Sequence, residues 1–263
     1  MISTKCVSSY AYQKLCGVGF SDHYATKFAP KVQISSFDTG DVVWRRGSPV
    51  LGWSGIINGV VAASINDTVK SSVSLGLYGN DAWFGEYSIL NNKPSYADYV
   101  CLCPTDIVSV PCETVHEAVT SDPKFAGTLA KLVAWRAQKS SEMLVLMRIG
   151  NPSLRSVMGL YLFSEALAYG DDRPPTVGFY EGMSIPFKQA VVASLCGVSR
   201  TVMSDCLQKL ASKGWVKINY GQIELMYYGT WQRFANRQRG KITFNTNPTM
   251  DDLMDDLSAA DTF

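Results

Sequence analysis

The densest set of residues able to do chemistry lies between Phe187 and Leu210, where Ser199, Arg200, Thr201, Ser204 and Asp205 fall on one side of a helical wheel. Their chemistry is recognition rather than bond-making. Hydroxyls donate and accept, and a guanidinium presents a planar fork that matches phosphate or the O6/N7 edge of guanine. The Asp205 carboxylate could accept from cytosine N4 or repel a phosphate. Such a face needs a second helix behind it and a tight turn between the two. Ala193 is the small residue that permits a close crossing, and Gly197 tolerates the positive φ of the turn. Ser199 is the expected N-cap of the second helix, with Val202, Cys206 and Leu210 inward and Arg200, Thr201, Ser204 and Asp205 outward. Gly214-Trp215-Val216-Lys217-Ile218 and Gly221-Gln222-Ile223-Glu224-Leu225 then read as a two-stranded wing. Between residues 185 and 218 five basic residues (Lys188, Arg200, Lys209, Lys213, Lys217) face one acid, Asp205, a local excess suited to phosphate contacts. Lys188, Lys209 and Lys217 therefore join the candidate DNA-binding set.

Other chemistries find less support. There is no Gly-rich phosphate loop, no metal-ligand pairing, and no Ser–His or Cys–His arrangement, so the chain is not expected to be an enzyme or to hold a metal. The two histidines, His23 and His116, are far apart, and Cys6 and Cys16 stand alone. Cys101 and Cys103, two apart, would share one strand face with Cys112 nearby; buried structural thiols are the preferred account over a redox sensor. Seven cysteines without disulfide-scaffold spacing suggest a reducing, cytoplasmic setting. No apolar run reaches the roughly 20 residues of a membrane helix, and Met1 to Phe20 lacks the pattern of a signal peptide. The net charge of +1 argues against indiscriminate coating of nucleic acid.

The elements that must carry these residues change three times along the chain. From Val32 to Val110 short β-type runs alternate with turn signals such as Arg46-Gly47-Ser48-Pro49 and Asn58-Gly59, the signature of an all-β barrel or sandwich. Near Pro123 the period becomes helical. Leu129, Leu132, Val133, Arg136, Ser140, Met143, Leu144 and Met147 predict one helix from Phe125 to about Arg148, with a stripe that suits a partner helix in a dimer. Asn151-Pro152-Ser153 breaks it, a further helix runs to about Tyr169, and residues 170–175 read as a loop. The domain reading is 1–121 sensor, 122–150 dimerisation helix, 151–228 winged helix-turn-helix, and 229–263 a basic then acidic extension.

This layout resembles the cyclic-AMP receptor protein and fumarate-nitrate reductase regulator (CRP/FNR) superfamily over most of Val32 to Leu225. Gly40-Asp41, Phe84-Gly85-Glu86, the long helix and Gly197-Val198-Ser199-Arg200 with Leu207 and Leu210 carry the resemblance. It implies an α+β fold: a double-stranded β-roll of the cyclic-nucleotide-binding type, a dimerisation helix and a winged helix-turn-helix. It further implies a homodimer on a palindromic operator, with double-stranded DNA and RNA polymerase as partners and Arg200 at a base edge. Thr201 and Asp205 depart from the family's usual glutamate and arginine, so the operator preference should differ. By the same resemblance an effector pocket would involve Gly85, Glu86, Ser95, Tyr96, Ala97, Arg136, Ser140 and Ser141. Ser95 stands where nucleotide binders carry the phosphate-binding arginine, so no required cofactor is the favoured reading, cyclic AMP being disfavoured. Lys93 could supply a point charge in its place, and Trp44, Trp53, Trp83, Tyr78, Tyr87 and Tyr96 could fill the pocket. Arg136, Ser140 and Ser141 are otherwise read as helix surface and dimer interface.

Beyond Leu225, Arg233, Arg237, Arg239 and Lys241 precede Asp251, Asp252, Asp255, Asp256 and Asp261. This extension is expected to be a solvated, partly disordered terminus. A sharper expectation is that its acids compete with DNA for the basic face, so that deleting residues after Asn247 tightens DNA binding.

Overall fold

The computed structural model describes residues 4–68, 71–168, 182–241 and 247–261. The expected loop at 170–175 lies outside them. The chain forms two compact units, the first chiefly Met1–Val69 and Leu77–Gln138, the second chiefly Lys139–Leu167 and Pro175–Phe263.

The first unit opens with α1 (Thr4–Gly17) and α2 (Asp22–Phe28), continues through β1 (Gln33–Phe37), β2 (Val42–Trp44), β3 (Gly52–Asn58), β4 (Val61–Thr68), β5 (Ser71–Tyr78) and β6 (Trp83–Phe84), and then forms α3 (Glu86–Leu90), β7 (Asp98–Cys101), β8 (Thr105–Pro111) and α4 (Cys112–Ser121). The strands make two four-stranded sheets, ordered β1-β8-β3-β6 and β2-β7-β4-β5. The strand pairings among the described residues are antiparallel, as in Gln33↔Ser109 and Ser54↔Ser109.

Two-residue alternation gives β3 and β8 two apolar faces with different destinations. Ile107 of β8 and Ile56 of β3 join Val61, Phe84, Ala97 and Tyr99 in one buried cluster. Val108, Val110 and Trp53, on the opposite faces, pack with Leu15, Phe20, Phe28 and Phe125 in a second. The helices thus cover one face of the roll while the other face closes on its own aromatics.

Helix α5 (Pro123–Ile149) begins two residues earlier than its apolar period predicts. Asp122 explains the difference. Its Oδ1 accepts from the backbone N–H groups of Lys124 and Phe125, and Pro123 sits at the first helical position, where no N–H is needed. At 27 residues the helix is about 40 Å long.

The second unit contains the end of α5, then α6 (Pro152–Ala168), β9 (Gly182–Ile185), α7 (Gln189–Leu195), α8 (Arg200–Ser212), β10 (Val216–Asn219), β11 (Gln222–Met226), α9 (Tyr228–Lys241) and α10 (Met250–Ala259). The wing gains a third strand that periodicity did not reveal, giving the order β10-β11-β9.

The terminal extension is not the solvated tail expected. Tyr228, Trp231, Phe234, Ala235 and Gln238 form the buried face of α9. Met250, Leu253 and Leu257 form that of α10, which packs on α9. Thr249 and Asp252 close a capping box at the start of α10. Much of the acidic run therefore has structural work: Asp252 caps, Asp256 accepts from Gln238 and Lys241, and Asp261 accepts from Thr230.

Candidate nucleic-acid interface and effector pocket

Helices α7 and α8 meet at 108°, within the range of helix-turn-helix pairs. The turn is built as its residues suggest. Gly197 has φ +60° and the Val198 N–H donates to the Ala193 carbonyl at 3.0 Å. A Cβ at Gly197 would come within 3.1 Å of Met147 Sδ, and the positive φ is what calls for glycine here. Ser199 Oγ accepts from the Val202 N–H at 3.2 Å and caps α8.

The buried stripe of α8 is Met203, Cys206, Leu207 and Leu210. Val202, expected inside, lies only partly covered at its edge, because the wheel centres the stripe on 203, 207 and 210. Behind it, Cys196 lies against α6, where a Cβ on Gly159 would be 2.5 Å from its Sγ. Burial pushes the Cys196 thiol well above its ordinary range and the Cys206 thiol up to about 12, so both act as apolar fillers.

Lys188, Ser199, Arg200, Thr201, Asp205, Lys209 and Lys217 are exposed and Ser204 is half-buried. Lys188 is at the N-cap of α7, and Arg200 and Thr201 begin α8. Lys217 is on the wing, and Lys209 lies in the last turn of α8, 3.9 Å from Asp251 of α10. Tyr220 is fully exposed at the tip of the β10–β11 hairpin, between the two wing strands.

In the first unit, Gly85 takes φ +105° and lets β6 turn into α3 against the ring of Trp44, to which a Cβ would approach within 2.4 Å. Glu86 follows as the first residue of α3 and forms an ion pair with Arg136 of α5. Arg136 also donates to the Trp83 carbonyl, and its guanidinium stands 5.4 Å from the centroid of the Tyr78 ring. Arg136 is therefore not helix surface. Its side chain is 18% exposed and that of Glu86 11%. Burial opposes the guanidinium charge, but the Glu86 carboxylate together with the Tyr78 and Tyr99 phenols offsets it and holds the group above its ordinary value.

Rings fill the space around the pair. Phe84 and Tyr99 stack at 4.9 Å, Trp44 lies 4.9 Å from Phe84 and 5.1 Å from Tyr99, and Tyr78 lies 5.4 Å from Phe84. Burial drives the phenols of Tyr78 and Tyr99 far above their normal range. Ser95 is buried, and its hydroxyl donates to the Ala97 carbonyl at 2.7 Å. Ala97 is fully buried, Tyr96 is exposed and packs edge-on against Tyr87 at 5.3 Å, and Lys93 is exposed. Ser140 and Ser141 are exposed on α5, one turn beyond Arg136.

Cys101 and Cys103 do not share a strand face. Strand β7 ends at Cys101, and the chain bends through 102–104, where the Leu102 N–H turns to the Val60 carbonyl. Among the described residues no three His, Cys, Asp or Glu side chains gather as a metal set, and no single helix is long and apolar enough to cross a membrane.

Residues 34–122 match the cyclic nucleotide-binding domain family. Among solved structures, FixK2 from Bradyrhizobium japonicum is similar at 13% identity and a TM-score of 0.63, over 83% of this chain and 99% of that one. The c-di-GMP responsive global regulator CLP of Xanthomonas campestris is similar at 15% identity and 0.60, over 79% and 99%. A CRP/FNR-family transcriptional regulator from Thermus thermophilus is similar at 17% and 0.57, over 78% and 98%. These likenesses establish the fold: an antiparallel β-roll followed by a long helix and a C-terminal helix-turn-helix. No curated protein sequence matches the chain.

Proposed function

We propose, for a chain with the fold of the CRP/FNR regulators and a cyclic nucleotide-binding-type domain at residues 34–122, that it is a homodimeric regulator of transcription that reads a palindromic DNA operator. The observation that carries this reading is α8. Its capped N-terminus presents Arg200, Thr201 and Asp205 to solvent over a buried apolar stripe, with Lys188 and Lys217 exposed on the neighbouring helix and the wing. In this reading Arg200 takes a base edge, Ser199, Thr201 and Ser204 add hydroxyl contacts, and the lysines take phosphates. Exposed Val133, Leu144 and Val145 on α5 support a second copy as the partner of that helix. RNA polymerase is the further partner such a role requires.

The reading includes independence from cyclic AMP. The residues present do not fit a cyclic phosphate. Ser95 brings no charge and spends its hydroxyl on Ala97, while Glu86 is engaged by Arg136. The side chains of Tyr78, Phe84 and Tyr99 crowd the same region. Exposed Lys93 offers a cation without the fork that a buried phosphate favours.

Selection of binding sites from random duplex DNA, with and without cyclic AMP at fixed salt, tests both parts. A two-fold symmetric motif enriched equally in both conditions is expected. Enrichment only with the nucleotide overturns the independence. No enrichment in either overturns unaided DNA reading and favours a C-terminal unit that binds protein.

A further inference from the structure

The backbone hydrogen-bond ladder of α5 ends with the Gly150 N–H on the Leu146 carbonyl, and that of α6 restarts with the Arg155 N–H on Asn151. Pro152 has no N–H to carry it across. The angle of this joint is therefore set by side chains, and several of those that span it meet the C-terminal extension. Arg239 of α9 donates through Nη2 to Glu142 of α5 and to Glu165 of α6, both at 3.1 Å. Lys139 reaches the same two carboxylates at 3.3 and 2.9 Å. Two cations and two anions thus form one neutral network, in which Glu165 is 5% exposed. Tyr161 donates to the other oxygen of Glu165 at 3.2 Å, and its ring lies 5.7 Å from the Arg239 guanidinium. At the break itself Asn151 works in both directions. Its Oδ1 accepts from the Leu154 N–H at 2.8 Å, and its Nδ2 donates to the carbonyl of Pro248, just before α10, at 2.7 Å.

We infer that α9 and α10 are a clamp that fixes the α5–α6 joint, making the end of α5, α6 and the helix-turn-helix one rigid body. Buried charge is a costly way to fill space, since an apolar residue of similar volume would pack as well or better. Its return here is geometric. A forked donor held by carboxylates on two helices defines their mutual position in a way apolar contact does not. Burial opposes the charge of Arg239, while Glu165, Glu142 and Tyr161 together more than offset it and hold the guanidinium above its ordinary value. The inference concerns the rigidity of this unit and does not rest on the DNA reading.

Hydrogen–deuterium exchange of the full chain tests it. Arg239→Met should raise exchange of the amides at 146–156 by about tenfold while those of α8 and β9–β11 stay as in the unsubstituted protein. Asn151→Ala should do the same to a smaller extent. An unchanged joint, or an equal rise through the whole second unit, would overturn the clamp in favour of general core support. Should Arg239→Met fail to fold, Arg239→Lys keeps the charge without the fork: a rise confined to the joint supports the clamp, and none refutes it.

Discussion

Glu86, at the start of α3, and Arg136, midway along α5, form an ion pair whose side chains are only 11% and 18% exposed. It ties the β-roll to the first half of the long helix through two charges that water scarcely reaches. Removing one partner strands the other, which typically costs about 3–5 kcal/mol. Glu86→Ala should therefore lower the urea midpoint of the first unit sharply, whereas replacing both residues by leucine and methionine should cost much less. A loss under about 1 kcal/mol for Glu86→Ala would mean that Arg136 finds water when its partner is gone.

Asp122 gives the first unit an acid-sensitive point. Burial acts to raise its pKa, but the Ser21 N–H at 2.8 Å and hydroxyl at 2.9 Å, with the N–H groups of Phe125 and Lys124, hold it below the usual carboxylate range. A carboxyl whose folded pKa is depressed adds stability above its unfolded pKa of about 3.9 and loses it as pH falls through the lower, folded value. Melting followed from pH 6 down to pH 2 should show that loss below about pH 4, and Asp122→Asn should flatten it. An identical pH dependence in Asp122→Asn would assign the acid sensitivity elsewhere.

Duplex binding should separate two kinds of residue on the candidate interface. Arg200→Ala is expected to cost about 1–3 kcal/mol on the selected operator and to relax preference at one base pair in each half-site. Lys217→Ala should weaken binding to all sequences alike and lower the salt slope by about one counterion. If both variants lose affinity equally on operator and random DNA, Arg200 contacts phosphate and the specificity lies with Thr201 or Asp205.

These two faces were not equally legible in the sequence. The helix-turn-helix was, because its constraints are local: Gly197 needs positive φ, Ser199 caps three residues ahead, and the stripe of α8 repeats within one helix. The β-roll was legible as a class from its turns. The Arg136–Glu86 pair was not, since 50 residues separate its members and helical spacing alone placed Arg136 beside Ser140 on a surface stripe. Strand β9 escaped because its pairing with β11, Ile223↔Ile185, joins segments nearly 40 residues apart. In the extension, five aspartates masked the spacing of Met250, Leu253 and Leu257, which is that of an amphipathic helix.

That last misreading changes what truncation can show. Deleting residues after Asn247 removes Leu253, Leu257 and Ala260 from a buried interface with α9, so lost packing would obscure any electrostatic gain on DNA. A point substitution separates the two. Asp251 lies 3.9 Å from Lys209 at the end of α8, and both side chains are more than half exposed. Asp251→Asn should leave the melting temperature nearly unchanged and tighten duplex binding by less than about 1 kcal/mol, with the gain fading as salt rises. The truncation should instead melt earlier by several degrees and bind no more tightly. Tighter binding by the truncation with an unaltered melt would restore the picture of a loose acidic tail. Unchanged binding by Asp251→Asn would leave Lys209 out of the DNA contact altogether.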